Sequence, residues 1–376
     1  MVAGALLKSS KSSLCLLQCM KALASQSRSF NSQLNDQQLA IQELARTYAN
    51  DRLKPNASKL DLQGLFPFEQ IRQLTNLGLM GACADQEYGG LGLDYLSLAV
   101  AVEEISRGCA STGMVVSIHN FLYANLVNER GTPEQKERFL CDFTKGAIGC
   151  FALSEPDAGS DVANIKTTAR QDGDYWILNG KKSWVTSAVE GAATVVFATF
   201  DPALRHKGLA CFLVPLDAEG VFRGKKEHLM GVSAVLRAAT ACDLTLEEVR
   251  IPNAFLIGQA GEGFKIAMGQ LDQGRIGIAA HAVDMCIMVE TARLLTYRAA
   301  TDVSTKNSSM AKYVAGRNAA AVADNCVQIL GGRGLSTKFN AERHFRDARG
   351  TQIYGGVTDI QKRLVGHFLL KENDAL

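Results

Sequence analysis

The spacing of apolar residues changes twice along this chain, and that constrains the fold more than any single motif does. Up to about residue 148 apolar side chains recur at helical intervals. From about 149 short runs rich in β-branched and aromatic residues take over, and from about 258 the helical interval returns. The chain therefore reads as an α+β protein in three successive parts, with a helical domain over 34–148, a β-domain over 149–257 and a second helical domain over 258–376.

Within the first part, Ile41, Leu44, Ala45 and Tyr48 share one helix face. Asn35 with Gln38 forms a capping box at its start, and Pro55 is expected to end it. Phe68, Ile71, Leu74 and Leu77 mark a second helix stopped at Gly78. A third, Asp94–Arg107, turns Leu98, Val102 and Ile105 inward, and its Glu103 and Glu104 read as a solvated face rather than an acid/base pair. Ser111–Arg130 is a further apolar helix, and the capping box Thr132-Pro-Glu-Gln135 opens one more. In the middle part, Tyr175–Leu178, Asn179-Gly180 and Lys182–Thr186 read as a β-hairpin with a two-residue turn. Ala193–Phe200, Leu209–Leu216 and Cys242–Val249 are further strands, closed at Arg250-Ile-Pro252. In the last part, Phe264 to Ala300 contains no proline, and alanine-rich Ser308–Leu330 ends at Gly331-Gly332. Thr358 is expected to cap a final helix with Ile360, Leu364, Val365 and Phe368 on one face.

A net charge of +2 over 376 residues argues against a nucleic-acid partner, and no apolar run reaches the length of a membrane span. The ten cysteines are scattered without a Cys-x-x-Cys pair, so neither a metal site nor a disulfide framework is indicated. Residues 1–30 carry Lys8, Lys11, Lys21 and Arg28 and no acid, the composition of a mitochondrial transit peptide cleaved near Arg28-Ser-Phe30. A secretory signal is the rival, since Leu14-Cys-Leu-Leu17 is apolar, but that core is short. The expected location is the mitochondrial matrix.

Four segments carry the chemistry. Phe151-Ala-Leu-Ser-Glu-Pro-Asp-Ala-Gly-Ser-Asp161 offers hydroxyls and backbone N–H groups to a polar ligand. Ser183-Trp-Val-Thr-Ser-Ala188, Gln328-Ile-Leu-Gly-Gly332 and Ile353-Tyr-Gly-Gly-Val-Thr-Asp-Ile-Gln361 follow. In that order they resemble the flavin- and thioester-binding segments of the acyl-CoA dehydrogenase family, most closely its short-chain members. The resemblance implies an N-terminal α-helical domain, a middle barrel-like β-sandwich and a C-terminal helical bundle. It implies FAD as cofactor, a short acyl-CoA as substrate, an electron-transferring flavoprotein as acceptor and a homo-oligomer, a tetramer in the family. Flavin contacts would come from Phe151, Ala152, Leu153, Ser154, Ser160, Trp184, Val185 and Thr186. Trp184 would lie along the ring and Thr186 near its N5. Gln328, Leu330, Gly331 and Gly332 would reach a neighbouring subunit's flavin, with Val357, Thr358 and Asp359 at phosphates beside a helix start. Ser160, Asp272, Arg275 and Gly356 would meet acyl-CoA, although Asp272 and Arg275, three apart on a helix, also suit a plain ion pair.

The chain departs from the family in three places. Gly355 stands where the short-chain motif has its glutamate base, and Gly274 occupies the alternative base position, so no catalytic base is identified. After Ala280-His-Ala-Val-Asp-Met-Cys286 the chain runs directly into Val289–Tyr297, omitting on the order of thirty residues, about 45 Å of helix at 1.5 Å per residue. The omitted piece carries flavin contacts and much of the bundle in the family, and fusing its flanks into one long helix would expose core faces. A small insertion lies at Gly231-Val-Ser-Ala-Val235. Two readings follow: a dehydrogenase with a substitute base, Asp359 or Asp272, or a non-catalytic paralogue that binds acyl-CoA or a relative's subunit. An acyl-CoA oxidase fits poorly, because such chains are usually longer.

Overall fold

Reciprocal capping starts the first helix. In a computed structural model, which describes residues 34–227, 239–283, 290–337 and 339–373, Gln38 N donates to Asn35 Oδ1 at 2.9 Å and Asn35 N to Gln38 Oε1 at 3.0 Å. The expected leader over 1–30, the insertion at 231–235 and residues 284–286 lie outside the described residues. Helix α1 (Asp36–Tyr48) buries Ile41, Ala45 and Tyr48, as its periodicity requires. It does not end at Pro55. The chain passes through a widened turn, Ala49–Leu53, into α2 (Lys54–Gln63), and Pro55 sits in the first turn of α2. A first-turn residue needs no N–H for the helix ladder, so proline is compatible there.

Helices α3 (Phe68–Asn76), α4 (Tyr95–Gly108), α5 (Ala110–Ser117), α6 (Asn125–Arg130) and α7 (Pro133–Phe139) complete the domain. The Thr132–Gln135 capping box forms as expected. Glu103 and Glu104 on α4 are not solvated. Both are buried, Glu104 between Arg46 (2.5 Å) and Arg107 (2.9 Å), and Glu103 against Arg293 (2.9 Å) and the Tyr297 hydroxyl (2.9 Å). Burial pushes the Glu103 carboxyl upward, opposed by Arg293 and Tyr297.

The middle domain is one eight-stranded sheet: β1 (Gly149–Ala152), β2 (Thr168–Asp172), β3 (Tyr175–Thr186), β4 (Ala193–Thr199), β5 (Leu209–Pro215), β6 (Val221–Arg223), β7 (Ala241–Pro252) and β8 (Leu256–Ile257). Its path is β6-β7-β3-β2-β4-β5-β8, with β1 parallel to β4. Asn179-Gly180 is not a hairpin turn. It is an irregularity inside the single strand β3, which pairs β2 on one side and β7 on the other. Tertiary partners override the turn chemistry here: the Asn179 amide exchanges hydrogen bonds with Glu248 at 2.6 and 2.8 Å. A Cβ at Gly180 would lie 2.6 Å from the Thr167 backbone, so the glycine serves close approach.

The first domain meets the sheet at a tight seam. His119 is buried, accepts from Gly149 N at Nδ1 (3.0 Å) and bonds Met80 O through Nε2 (2.8 Å). The carbonyl can only accept, so Nε2 carries the proton and the ring is neutral. A Cβ at Gly149 would lie 2.0 Å from the Tyr123 ring.

The last domain contains α8 (Gly263–Val283), α9 (Glu290–Thr301), α10 (Thr305–Leu330), α11 (Ala341–Thr351) and α12 (Thr358–Asn373). Helices α8 and α9 do not form one long rod. Thr305, just past α9, donates to Asp272 in the middle of α8 at 2.8 Å, so α9 returns antiparallel beside α8. Both also pack on α4 and α10, and the first and last domains share one apolar core that includes Ile41, Leu98, Ile276 and Ala315. The Thr358 hydroxyl does not cap α12. It donates to Gln352 O at 3.1 Å. Among the described residues no helix is long and apolar enough to cross a membrane, and no group of three metal-ligating side chains occurs.

Candidate active site

Strand β1 delivers Phe151 and Ala152 to the edge of the 154–160 loop, and a buried ion pair fixes that loop. Ser183 N donates to Ser154 O at 2.8 Å. Next to it, Lys182 Nζ lies 2.7 Å from Glu155 Oε1 and 3.3 Å from Leu153 O. Lys166 N and Thr167 N donate to the same carboxylate at 2.5 and 3.0 Å. Burial drives the Lys182 ammonium down to about 8 despite Glu155. Burial also pulls the Glu155 carboxyl upward, but Lys182 and the two backbone N–H bonds outweigh it and hold the group below its ordinary value. Neither residue was singled out from sequence. No local signal marks them: the irregularity at Asn179-Gly180 breaks the alternation that would place Lys182 on the inner face, and its partner lies on another element.

The same strand end carries Trp184, Val185 and Thr186. Val185 is buried and Thr186 half-buried. Trp184 is 59% exposed and holds φ +61°, with Ser187 at +60°. Bulky residues rarely adopt that conformation, and holding one costs ~1–3 kcal/mol. The strain displays a flat aromatic face to solvent beside the loop, where Ser154 is half-buried and Ser160 exposed. A flat ring system with polar edges and a phosphate tail matches that donor set, so the residues of the β-domain fit a flavin.

A separate candidate segment is the 353–361 turn. Gly355 and Gly356 have φ of +65° and +93°. The Gly356 carbonyl accepts from Lys312 Nζ at 2.7 Å and Gln361 Nε2 at 3.1 Å, which clamps the turn. A side chain at Gly355 would start 3.0 Å from Ile278 Cγ1, and one at Gly274 would start 2.6 Å from Leu122 Cδ2. Asp272 is committed twice, to Arg275 and to the Thr305 hydroxyl, so the plain ion pair is formed. Burial raises the Asp272 carboxyl against the opposing Arg275, and burial likewise lowers Arg275. Asp359 is exposed and 3.7 Å from Lys362. Neither suggested substitute base is therefore a free carboxylate in the buried corner.

The fold brings Asp272, Arg275, Gly355 and Gly356 to one corner around Lys312. Gln328, Leu330, Gly331 and Gly332 stand exposed at the end of α10, joined by Ile329, which is 84% exposed. No hydrogen bond among the described residues links them to the 154–160 loop. Lys312 was also missed from sequence, where it reads as one polar position of a long helix.

The architecture is a sheet between two helical domains that share a core, with a strained aromatic platform and a clamped polar loop. Family models for the N-terminal, middle and C-terminal domains of acyl-CoA dehydrogenase match residues 35–147, 150–249 and 280–370. The mitochondrial short-chain specific acyl-CoA dehydrogenase of Rattus norvegicus is 42% identical over 88% of this chain and 89% of its own length. The short-chain specific enzyme of Clostridium acetobutylicum is 34% identical over 88% of this chain and 97% of its own. The solved structure of butyryl-CoA dehydrogenase from Megasphaera elsdenii superposes with a TM-score of 0.86 at 32% identity, covering 91% of this chain and all of that one. The chain belongs to the acyl-CoA dehydrogenase family. By family it is an FAD-dependent oxidoreductase acting on the CH–CH bond of acyl-CoA thioesters.

Proposed function

We propose that this protein binds FAD and a short acyl-CoA and catalyses α,β-dehydrogenation of the thioester in mitochondrial fatty-acid oxidation. Bound FAD supplies the acceptor for the β-hydride. Phe151–Ser154, Ser160 and Trp184–Thr186 would hold it, with Thr358 and Asp359 near its phosphates and Gln328–Gly332 serving a neighbouring subunit. Gly356, Ser160, Asp272 and Arg275 would orient the thioester. The Gly355 N–H would polarise its carbonyl, because a donor aimed at the developing enolate oxygen lowers the barrier to losing the α-proton. An electron-transferring flavoprotein as acceptor, a tetramer, the matrix location and the 34–148, 149–257 and 258–376 domains complete the reading. Mitochondrial relatives support the location, the family supports the acceptor and the tetramer, and the changes of apolar periodicity support the domain bounds.

The observation that carries the reading is the exposed, strained Trp184 beside the Glu155-clamped loop. The glycine at 355 favours a second reading, a paralogue that binds without turnover. Purified protein separates the two. Yellow protein bleached anaerobically by butyryl-CoA supports the dehydrogenase, and yellow protein that shifts its spectrum without bleaching supports the binder. Protein that stays colourless after incubation with FAD also supports the binder and removes the dehydrogenase.

A further inference from the structure

We propose that Lys312 accepts the α-proton of a bound acyl thioester, in the role that the missing side chain of Gly355 leaves open. The assignment rests on the function proposed above and adds the identity of the base.

Position comes first. Lys312 on α10 is buried, and its Nζ lies 2.7 Å from the carbonyl oxygen of Gly356, the residue after the vacant position. Competing carboxylates are otherwise engaged: Asp272 by Arg275 and Thr305, and Asp359 at the surface near Lys362. Among the described residues no carboxylate lies within ion-pair distance of Lys312. The charged group that faces it is Arg275 of α8, itself buried beside Asp272.

Electrostatics agree with the position. Burial foremost, and then the Arg275 cation, lower the Lys312 ammonium to about 8. Roughly a tenth of the molecules would then hold a neutral amine at pH 7. A neutral amine can still donate one N–H to Gly356 O while its lone pair is free for a proton. In the step, the Cα–H bond breaks and its electron pair moves into the enolate. The proton forms a new N–H bond at Nζ, leaving an ammonium beside the enolate. No electron acceptor is consumed, so the step is reversible, and a deuteron from solvent can return to Cα.

Exchange of the α-hydrogens of butyryl-CoA in deuterium oxide, followed by mass spectrometry on the full FAD-loaded chain, tests this. The wild type should exchange with a pH profile that rises to half-maximum near 8. Lys312→Arg keeps a cation that can donate to Gly356 O but does not titrate. It should lower exchange by on the order of 10²-fold, the usual contribution of a positioned base, while still binding butyryl-CoA. Lys312→Met should lower exchange as well. Equal exchange in Lys312→Arg and wild type overturns the assignment and leaves Lys312 a clamp. So does a profile that is flat, or that has its midpoint in the carboxylate range. If Lys312→Arg does not bind, the wild-type midpoint decides. Wild type that binds butyryl-CoA but does not exchange overturns only this assignment, whereas wild type that binds none overturns the functional reading and this assignment with it.

Discussion

Lys182 Nζ lies 2.7 Å from Glu155 Oε1, with Lys182 wholly sealed from solvent and Glu155 nearly so. The pair joins the candidate cofactor loop to the strand that carries Trp184. Removing one partner strands a buried charge, which costs ~3–5 kcal/mol. Glu155→Gln and Lys182→Met are each expected to lose that much stability in urea denaturation and to retain less flavin. Wild-type flavin content in either variant would show that the pair does not set the loop.

The Glu155 carboxyl is held below its ordinary 4.5 in the folded protein. A depressed carboxyl contributes stability that is fully present above its unfolded value and lost as pH falls through the folded one. Wild-type stability should therefore drop below pH 4.5, and Glu155→Gln should drop less steeply over that range. Parallel acid limbs in urea titrations would argue against the assignment.

His119 makes a separate acid prediction. Burial lowers its imidazole from 6.5 to about 4. The stability it contributes is full above 6.5 and is lost as pH falls towards 4, a change of roughly 3 kcal/mol. At pH 6 its ring nitrogen shifts should be those of a neutral Nε2–H tautomer. A ring that titrates near 6.5 in the native protein would contradict the buried geometry.

Trp184→Gly relieves the positive φ but also gives the unfolded chain more freedom, and the two effects oppose each other. Stability without cofactor should stay within about 1 kcal/mol of wild type. Flavin affinity should fall on the order of tenfold, the value of one aromatic face. Unchanged affinity by fluorescence titration would remove the platform from the site.

Gly355→Glu places a carboxylate where the family has its base, against a φ of +65° and Ile278 at 3.0 Å. The variant should lose ~1–3 kcal/mol of stability and gain up to ~10²-fold in α-proton exchange. Loss of stability without any gain in exchange, in protein that still binds acyl-CoA, would mean that the backbone here cannot present a base.

What the sequence revealed was local. The helix–sheet–helix order, the capping boxes at Asn35 and Thr132 and the 151–161 loop depend on neighbours a few residues apart. The errors arose where distant partners decide. Asn179-Gly180 has ideal turn chemistry, yet Glu248 and Thr167 draw it into a strand. Glu103 looks solvated until Arg293, far along the chain, packs against it. Pro55 has a position within its helix that composition alone does not give. At the site, the motif residues were legible, but the two lysines that position them were not, because their partners lie on other elements.

The seam at Gly149 has a mechanical consequence. With the Tyr123 ring where even a methyl group would have to sit and the amide held by a neutral imidazole, the strand and the first helical domain meet backbone against ring there. Any residue but glycine at 149 would have to part the strand from the Tyr123 ring, so this one position couples the sheet to the first helical domain.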